Sequence, residues 1–198
     1  MEAKSDQYRS EADPNRKVIK RFLLIDTPGH GKLRHHAQEY LGAPQQLKGV
    51  VFVVDAADLN PDSAGLRETA EYLHDVLLTL QKALVSKSSR APKVLQFLIA
   101  ANKSDLFTAL PAPLVRKTLE KELTGIRESR SKALFSSGMN TDEAVDSEQD
   151  WLGETGEGPF TFDQMQEFNV EVSVEGGSIH GTDKPDIIRY WTWLGDNL

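Results

Sequence analysis

Short β-rich, mostly apolar runs alternate along this chain with longer stretches in which apolar residues recur every three or four positions. The short runs are Phe22-Leu-Leu-Ile25, Val50-Val-Phe-Val-Val54, Val94-Leu-Gln-Phe-Leu-Ile99 and the briefer Val170-Glu-Val172. Continuous apolar strands, as opposed to alternating ones, belong to sheets covered on both faces, and such sheets are mostly parallel. Between the runs, Leu66, Leu73, Val76, Leu77, Leu80 and Leu84 fall on one helical face. Asn60 and Pro61 precede that face and predict an N-cap and first helical position there. Val115, Leu119, Leu123 and Ile126 predict another helix, and Ile187, Trp191, Leu194 and Leu198 predict a last one after Pro185. Strand and helix in alternation predict an α/β fold with a doubly wound, mostly parallel sheet.

Two stretches fit no element. Residues 1–20 form a polar amino-terminal segment, and residues 21–198 carry the α/β pattern. Within the latter, residues 129–159 are rich in Ser, Gly and acids and read as a flexible insertion whose removal changes stability little. The chain's net charge is −7, from 30 acids and 23 bases, and seven of those acids lie between Thr141 and Gly158. Without them the acids equal the bases, so the rest of the chain lacks the basic footprint of a nucleic-acid binder. No apolar run approaches the roughly 20 residues of a membrane span. The absence of cysteine removes disulfide scaffolds, thiol enzymes and zinc ribbons together. The five histidines are not spaced as metal ligands; adjacent His35 and His36 would point about 100° apart on a helix.

Ligands of open parallel sheets bind beyond the carboxyl ends of the strands, so the residues there carry the chemistry. They are Asp26-Thr-Pro-Gly-His30, Asn102-Lys-Ser-Asp105 and Ser173-Val-Glu-Gly-Gly177. A carboxylate only accepts hydrogen bonds. Asp105 can therefore accept from the ring N–H and exocyclic amine of guanine, a pair adenine does not offer. Asn102 can bond the base's acceptors, and the aliphatic stem of Lys103 can cover its plane. Asp26 can hold Mg²⁺ through water, and Gly29 lets backbone approach a terminal phosphate.

In this order the motifs resemble the Ras and Arf-like small GTPases. The finer details resemble the beta-subunit family of the signal recognition particle receptor: Asp26 through Arg34, the strand leading to Asp55 and Ala56, Leu119-Glu-Lys-Glu-Leu123 followed by Arg127 and Arg130, and Phe160-Thr-Phe162. The resemblance implies GTP and Mg²⁺, with Asp26 and Gly29 at the metal and gamma-phosphate. It implies Asn102, Lys103 and Asp105 on guanine, with Ser173 and Val174 closing over the base. His30 stands where such enzymes carry the residue that orients attacking water. The implied partner is the receptor's alpha subunit at the endoplasmic reticulum membrane, with the ribosome or translocon as further candidates. No Gly-x-x-x-x-Gly-Lys-Ser/Thr occurs in the chain, although that loop supplies the phosphate cradle of the family. By resemblance the fold is thus an incomplete small-GTPase domain, lacking the first strand, the phosphate loop, the first switch and the membrane helix. A chain that begins late is the simplest explanation. The lost strand would belong between those ending at Asp26 and Asp55 and leave both with unpaired edges. The alternative function is a GTPase-like scaffold that works without nucleotide.

Overall fold

The computed structural model describes residues 22–61, 63–85, 94–136, 151–153, 158–180 and 184–197. Three parallel strands, β1 (Gly49–Asp55), β2 (Leu95–Asn102) and β3 (Val170–Gly176), form one sheet in the order β1-β2-β3. The helices are α1 (His35–Leu41), α2 (Ala64–Val85), α3 (Ala112–Ser136) and α4 (Ile188–Asn197). Helices α2 and α3 cover one face through Leu66, Leu73, Leu77, Leu80, Val115, Leu119 and Leu123, packed with Phe97, Ile99, Val170 and Val172. Each such side chain contributes roughly 1.5–3 kcal/mol on full burial. The other face is thinner: Leu98 and Ala100 lie under Trp193, with Tyr190 and Leu194 alongside. The continuous apolar run of β2 is explained by this two-sided cover.

β1 is covered less well, with Val51 and Val53 41% and 55% exposed. Its outer edge has no ladder partner among the described residues. The predicted strand Phe22–Ile25 is not formed. These four residues are 46%, 84%, 74% and 43% exposed and belong to no strand. A strand needs a neighbour to take up its backbone hydrogen bonds, and no described residue pairs with this segment.

Three further boundaries differ from the sequence pattern. Helix α2 begins at Ala64, not near Asn60. Ser63 is the cap, its Oγ accepting from Leu66 N–H at 3.0 Å while donating to Asp58 O at 2.7 Å. Asn60 instead donates to Ala57 O within the preceding turn. β3 continues to Gly176, well past Val172. The region read as a flexible insertion is ordered at both ends. α3 runs to Ser136, and Leu152 is fully buried in the main core. Gln81 of α2 donates to Trp151 O at 3.1 Å and accepts from Gly153 N–H at 3.0 Å. Arg127, 2% exposed, donates to Leu152 O at 3.2 Å and also to Gly158 O. The seven acids of the insertion and residues 1–20 lie outside the described residues.

Candidate functional site

At the carboxyl end of the sheet, the turn after β2 meets the turn after β3. β2 ends on Asn102, whose backbone O accepts from Ala56 N–H at 3.0 Å, tying this end to the residue after β1. Lys103 follows with φ 63°. A side chain other than glycine is uncommon in that left-handed region, and a tight reversal of the chain is what places it there. The reversal is braced by Leu106 N–H to Lys103 O at 3.0 Å and Ser104 N–H to Gly177 O at 3.1 Å.

The two key side chains are oriented by the β3 turn. Asn102 Oδ1 accepts from Ile179 N–H at 3.0 Å. That bond fixes the amide so that its NH₂ is the group left to face a ligand. Asp105 Oδ1 accepts from the hydroxyl of Ser178. Ser178 is only 2% exposed and is pinned by reciprocal backbone bonds with Asp186, at 2.9 and 2.8 Å. Asp105 itself is exposed, so a carboxylate held at one oxygen presents the other outward.

Gly177 makes this contact possible. A Cβ there would lie 2.6 Å from Asp186 O and 2.8–2.9 Å from the Tyr190 ring. Only glycine fits where these two elements press together. Tyr190 in turn donates to Ala101 O at 3.0 Å; burial first, then Asp186 and Glu175, push its phenol up to about 12. The Asn-Lys-Ser-Asp turn is therefore held by the Gly177–Ile179 turn and, through Tyr190, by α4.

Lys103 reaches sideways to β1. Its ammonium donates to Asp55 Oδ2, and the hydrogen bond and charge of Asp55 raise its pKa. Asp55 Oδ1 accepts from Ala57 N–H at 3.0 Å.

The remaining expected residues lie elsewhere. Ser173 and Val174 are inside β3, paired in register with Leu98 and Ile99, and not in the closing loop. Val174 packs against the core, and the Ser173 hydroxyl points at Phe97 O, 3.5 Å away. Strand pairing that persists to Gly176 withdraws both from the site. Their place is taken by Gly177, Ser178 and Ile179. A Gly-Gly-Ser sequence just beyond an apolar strand was the available signal for them.

Asp26 and Gly29 lie on an exposed loop, with nothing within 4 Å of a Cβ placed on Gly29. Arg34 fastens this loop: its Nε donates to Gly29 O at 3.4 Å, its Nη2 pairs with Glu68 at 3.2 Å, and its guanidinium lies 4.2 Å from the Tyr72 ring centre. His30 caps the short turn Gly31–Leu33, its Nδ1 accepting from Lys32 N–H at 3.3 Å. Among the described residues no three acidic or histidine side chains cluster to hold a metal. The arrangement fits a guanine base at Asn102 and Asp105. Asp26, a single carboxylate, fits Mg²⁺ only together with water and a nucleotide's own phosphates.

His74 is a core residue. It is 1% exposed in α2, and burial followed by the Arg130 guanidinium lowers its pKa to about 4. No described helix is long and apolar enough to cross a membrane. A polar depression of about 500 Å³, lined by Gln45, Gln46, Lys48, Gln96 and Asp196 among others, opens beside the amino ends of β1 and β2. That is the end of a parallel sheet where ligands do not ordinarily bind.

Comparison with known proteins gives one consistent result. The sequence model of the family described as signal recognition particle receptor beta subunit matches residues 4–170. Signal recognition particle receptor subunit beta of Saccharomyces cerevisiae is 33% identical over 178 residues, covering 88% of this chain and 66% of that protein. The Mus musculus subunit is 33% identical over 176 residues, covering 87% and 58%. The chain thus spans somewhat more than half the length of these relatives. Among solved structures, one titled as the receptor's SRb with GDP and Mg, from Chaetomium thermophilum, superposes with a TM-score of 0.74 at 45% identity, covering 89% of this chain and 81% of that one. A second, an SRb-GTP/SRX complex from the same organism, gives 0.76 at 41% identity, covering 90% and 68%. The three-stranded parallel sheet with helices on both faces is accordingly an incomplete small-GTPase fold, and the chain belongs to the signal recognition particle receptor beta-subunit family.

Proposed function

We propose that this chain is the guanine-reading portion of a signal recognition particle receptor beta subunit, acting with the alpha subunit at the endoplasmic reticulum membrane in protein targeting. The observation that carries the base-reading role is the paired orientation of Asn102 by Ile179 N–H and Asp105 by Ser178 Oγ. Those bonds leave the other carboxylate oxygen of Asp105 and the NH₂ of Asn102 for a ligand, and the two would suit the donors and the acceptors of guanine. An adenine placed there would set its own groups against the wrong partners. Unpaired polar groups are what give such sites discrimination of roughly 10⁴-fold in fully built examples.

Nucleotide and partner are supported by the relatives. The similar structures are titled with GDP, with GDP and Mg, and with GTP in complex with SRX. In this chain Asp26 and Gly29 are the residues that would face a metal and terminal phosphate. Bound nucleotide would supply the phosphate charge that Mg²⁺ needs. His30 caps its turn through Nδ1, and no hydrolytic role is assigned to it. The ribosome or translocon is a further candidate partner in protein targeting.

The test is a titration of ¹⁵N-labelled chain with GDP and, separately, ADP, with alpha subunit added afterwards. Shifts at Asn102–Asp105 and Gly177–Ile179 with GDP alone support the reading. Equal response to ADP overturns it. Alpha-subunit binding with no nucleotide response at all favours the scaffold alternative.

A further inference from the structure

The Asn-Lys-Ser-Asp turn is joined to β1 by a contact that base reading does not by itself require. Asp55 and Asn102 are register partners at the ends of adjacent strands, so Lys103 emerges one residue beyond the partner of Asp55. The left-handed conformation of Lys103 turns the chain, and the side chain spans back to the neighbouring strand's last carboxylate. That carboxylate is itself fixed, because its other oxygen accepts from Ala57 N–H. Two backbone bonds lock the same corner: Ala56 N–H to Asn102 O at 3.0 Å, and Leu110 N–H to Ala56 O at 2.9 Å. The four-carbon stem of Lys103 is thereby tethered at both ends, by its own backbone at one and by Asp55 at the other.

We propose that Asp55 is a positioning residue for purine binding: by holding the Lys103 ammonium, it pre-extends the lysine stem into a platform against which the face of the base packs. This rests on the base-reading function proposed above. An untethered lysine has many rotamers, and restricting them on binding weakens affinity. A stem held beforehand presents its apolar flank without that loss. The raised pKa of Lys103 agrees with an ammonium held by a carboxylate. Contact with a ring face recognises any purine. Asp55 therefore acts on how tightly a base is held, whereas Asp105 acts on which base is held.

The substitution that isolates this role is Asp55→Asn. Asparagine keeps a carbonyl oxygen for Ala57 N–H, so the turn survives, while its NH₂ cannot accept from the lysine. Guanosine is the probe, because it carries no phosphate to bring in other charges. Dissociation constants are read from NMR shift titrations of wild type, Asp55→Asn, Lys103→Met and the double variant, each against guanosine and adenosine. Asp105→Asn serves as a separate control. The expected result is guanosine binding three- to tenfold weaker for Asp55→Asn, with the guanosine-to-adenosine ratio unchanged. Adding Asp55→Asn to Lys103→Met should change affinity by less than about 1.5-fold, since methionine leaves no ammonium to hold. A purely structural role for Asp55 would instead give the same loss in both backgrounds, which overturns the inference. Unchanged binding in Asp55→Asn also overturns it, while Asp105→Asn still alters base preference and leaves the base-reading function standing. No guanosine response in wild type, or none of the preference change in Asp105→Asn, removes the base-reading function itself.

Discussion

Truncating Leu152 to alanine tests whether the short segment 151–153, set among the acids of the insertion, is part of the fold. Leu152 is fully buried and sits in the main core. The hydrogen bonds that hold its segment run to backbone, from Gln81 and Arg127 to Trp151 O and Leu152 O, and from Gly153 N–H to Gln81. The substitution leaves all of them intact and removes only the side chain's packing. Fully buried leucine-to-alanine changes cost about 2–5 kcal/mol, the upper part when the cavity cannot collapse. A short segment held by a few hydrogen bonds can shift partly into the cavity, which places the expected value at about 2–3.5 kcal/mol. For a chain of this size each 1 kcal/mol moves Tm by about 2–4 °C, so the expected fall is about 4–14 °C. Thermal unfolding by circular dichroism measures it. Hydrogen exchange separates local undocking from global loss, since the Gly153 amide would lose protection ahead of β2. A fall of less than about 2 °C would refute the packing argument and return residues 151–153 to the status of a passive loop.

Two other outcomes follow from the same geometry. Gly177→Ala would drive a methyl into Asp186 O and the Tyr190 ring, displacing Ser178 and costing about 1–3 kcal/mol of stability; GDP-induced shifts at Asp105 should weaken at least tenfold, and an unchanged titration contradicts the site. His74 stays neutral in the fold down to about pH 4, whereas the unfolded chain takes up its proton near 6.5. Its contribution is therefore complete above about pH 6.5 and lost as pH falls toward 4, about 3 kcal/mol in all. Urea midpoints across that range should flatten in His74→Gln relative to wild type, and parallel slopes would show that other groups control acid stability.

What the sequence revealed and what it concealed have separable causes. β2 was readable because a strand covered on both faces is mostly apolar, as Val94–Ile99 is apart from Gln96, and Val50–Val54 of β1 carries the same signal although Val51 and Val53 are exposed. β3 was read short because half of it is polar: Glu171, Ser173 and Glu175 alternate with Val170, Val172 and Val174 on an edge strand. That shortening placed Ser173 and Val174 in the site in place of Ser178 and Ile179. Phe22–Ile25 has the composition of a strand, but pairing is a property of the neighbour, and composition does not report one. Leu152 was hidden by the acids around it, since a single anchor in a polar stretch has no periodicity. Arg127 was visible as a motif residue, yet its role as the buried donor holding residues 152 and 158 shows only in three dimensions. Asn102 and Asp105 stood out because their residue types suit the edge of guanine, and the structure places both at the carboxyl end of β2 and the turn after it.

The base-reading role proposed for Asp105, held by Ser178, turns on a single acceptor. Asp105→Asn converts an acceptor into a donor at the position facing the base N–H groups, and xanthine offers an acceptor there. The direct measurement is a competition titration of GDP against xanthosine diphosphate with the wild-type and Asp105→Asn chains. Wild type is expected to prefer GDP, and the variant to lose at least tenfold in GDP affinity while gaining xanthosine diphosphate binding, reversing the order. An unchanged preference for GDP in the variant would contradict it.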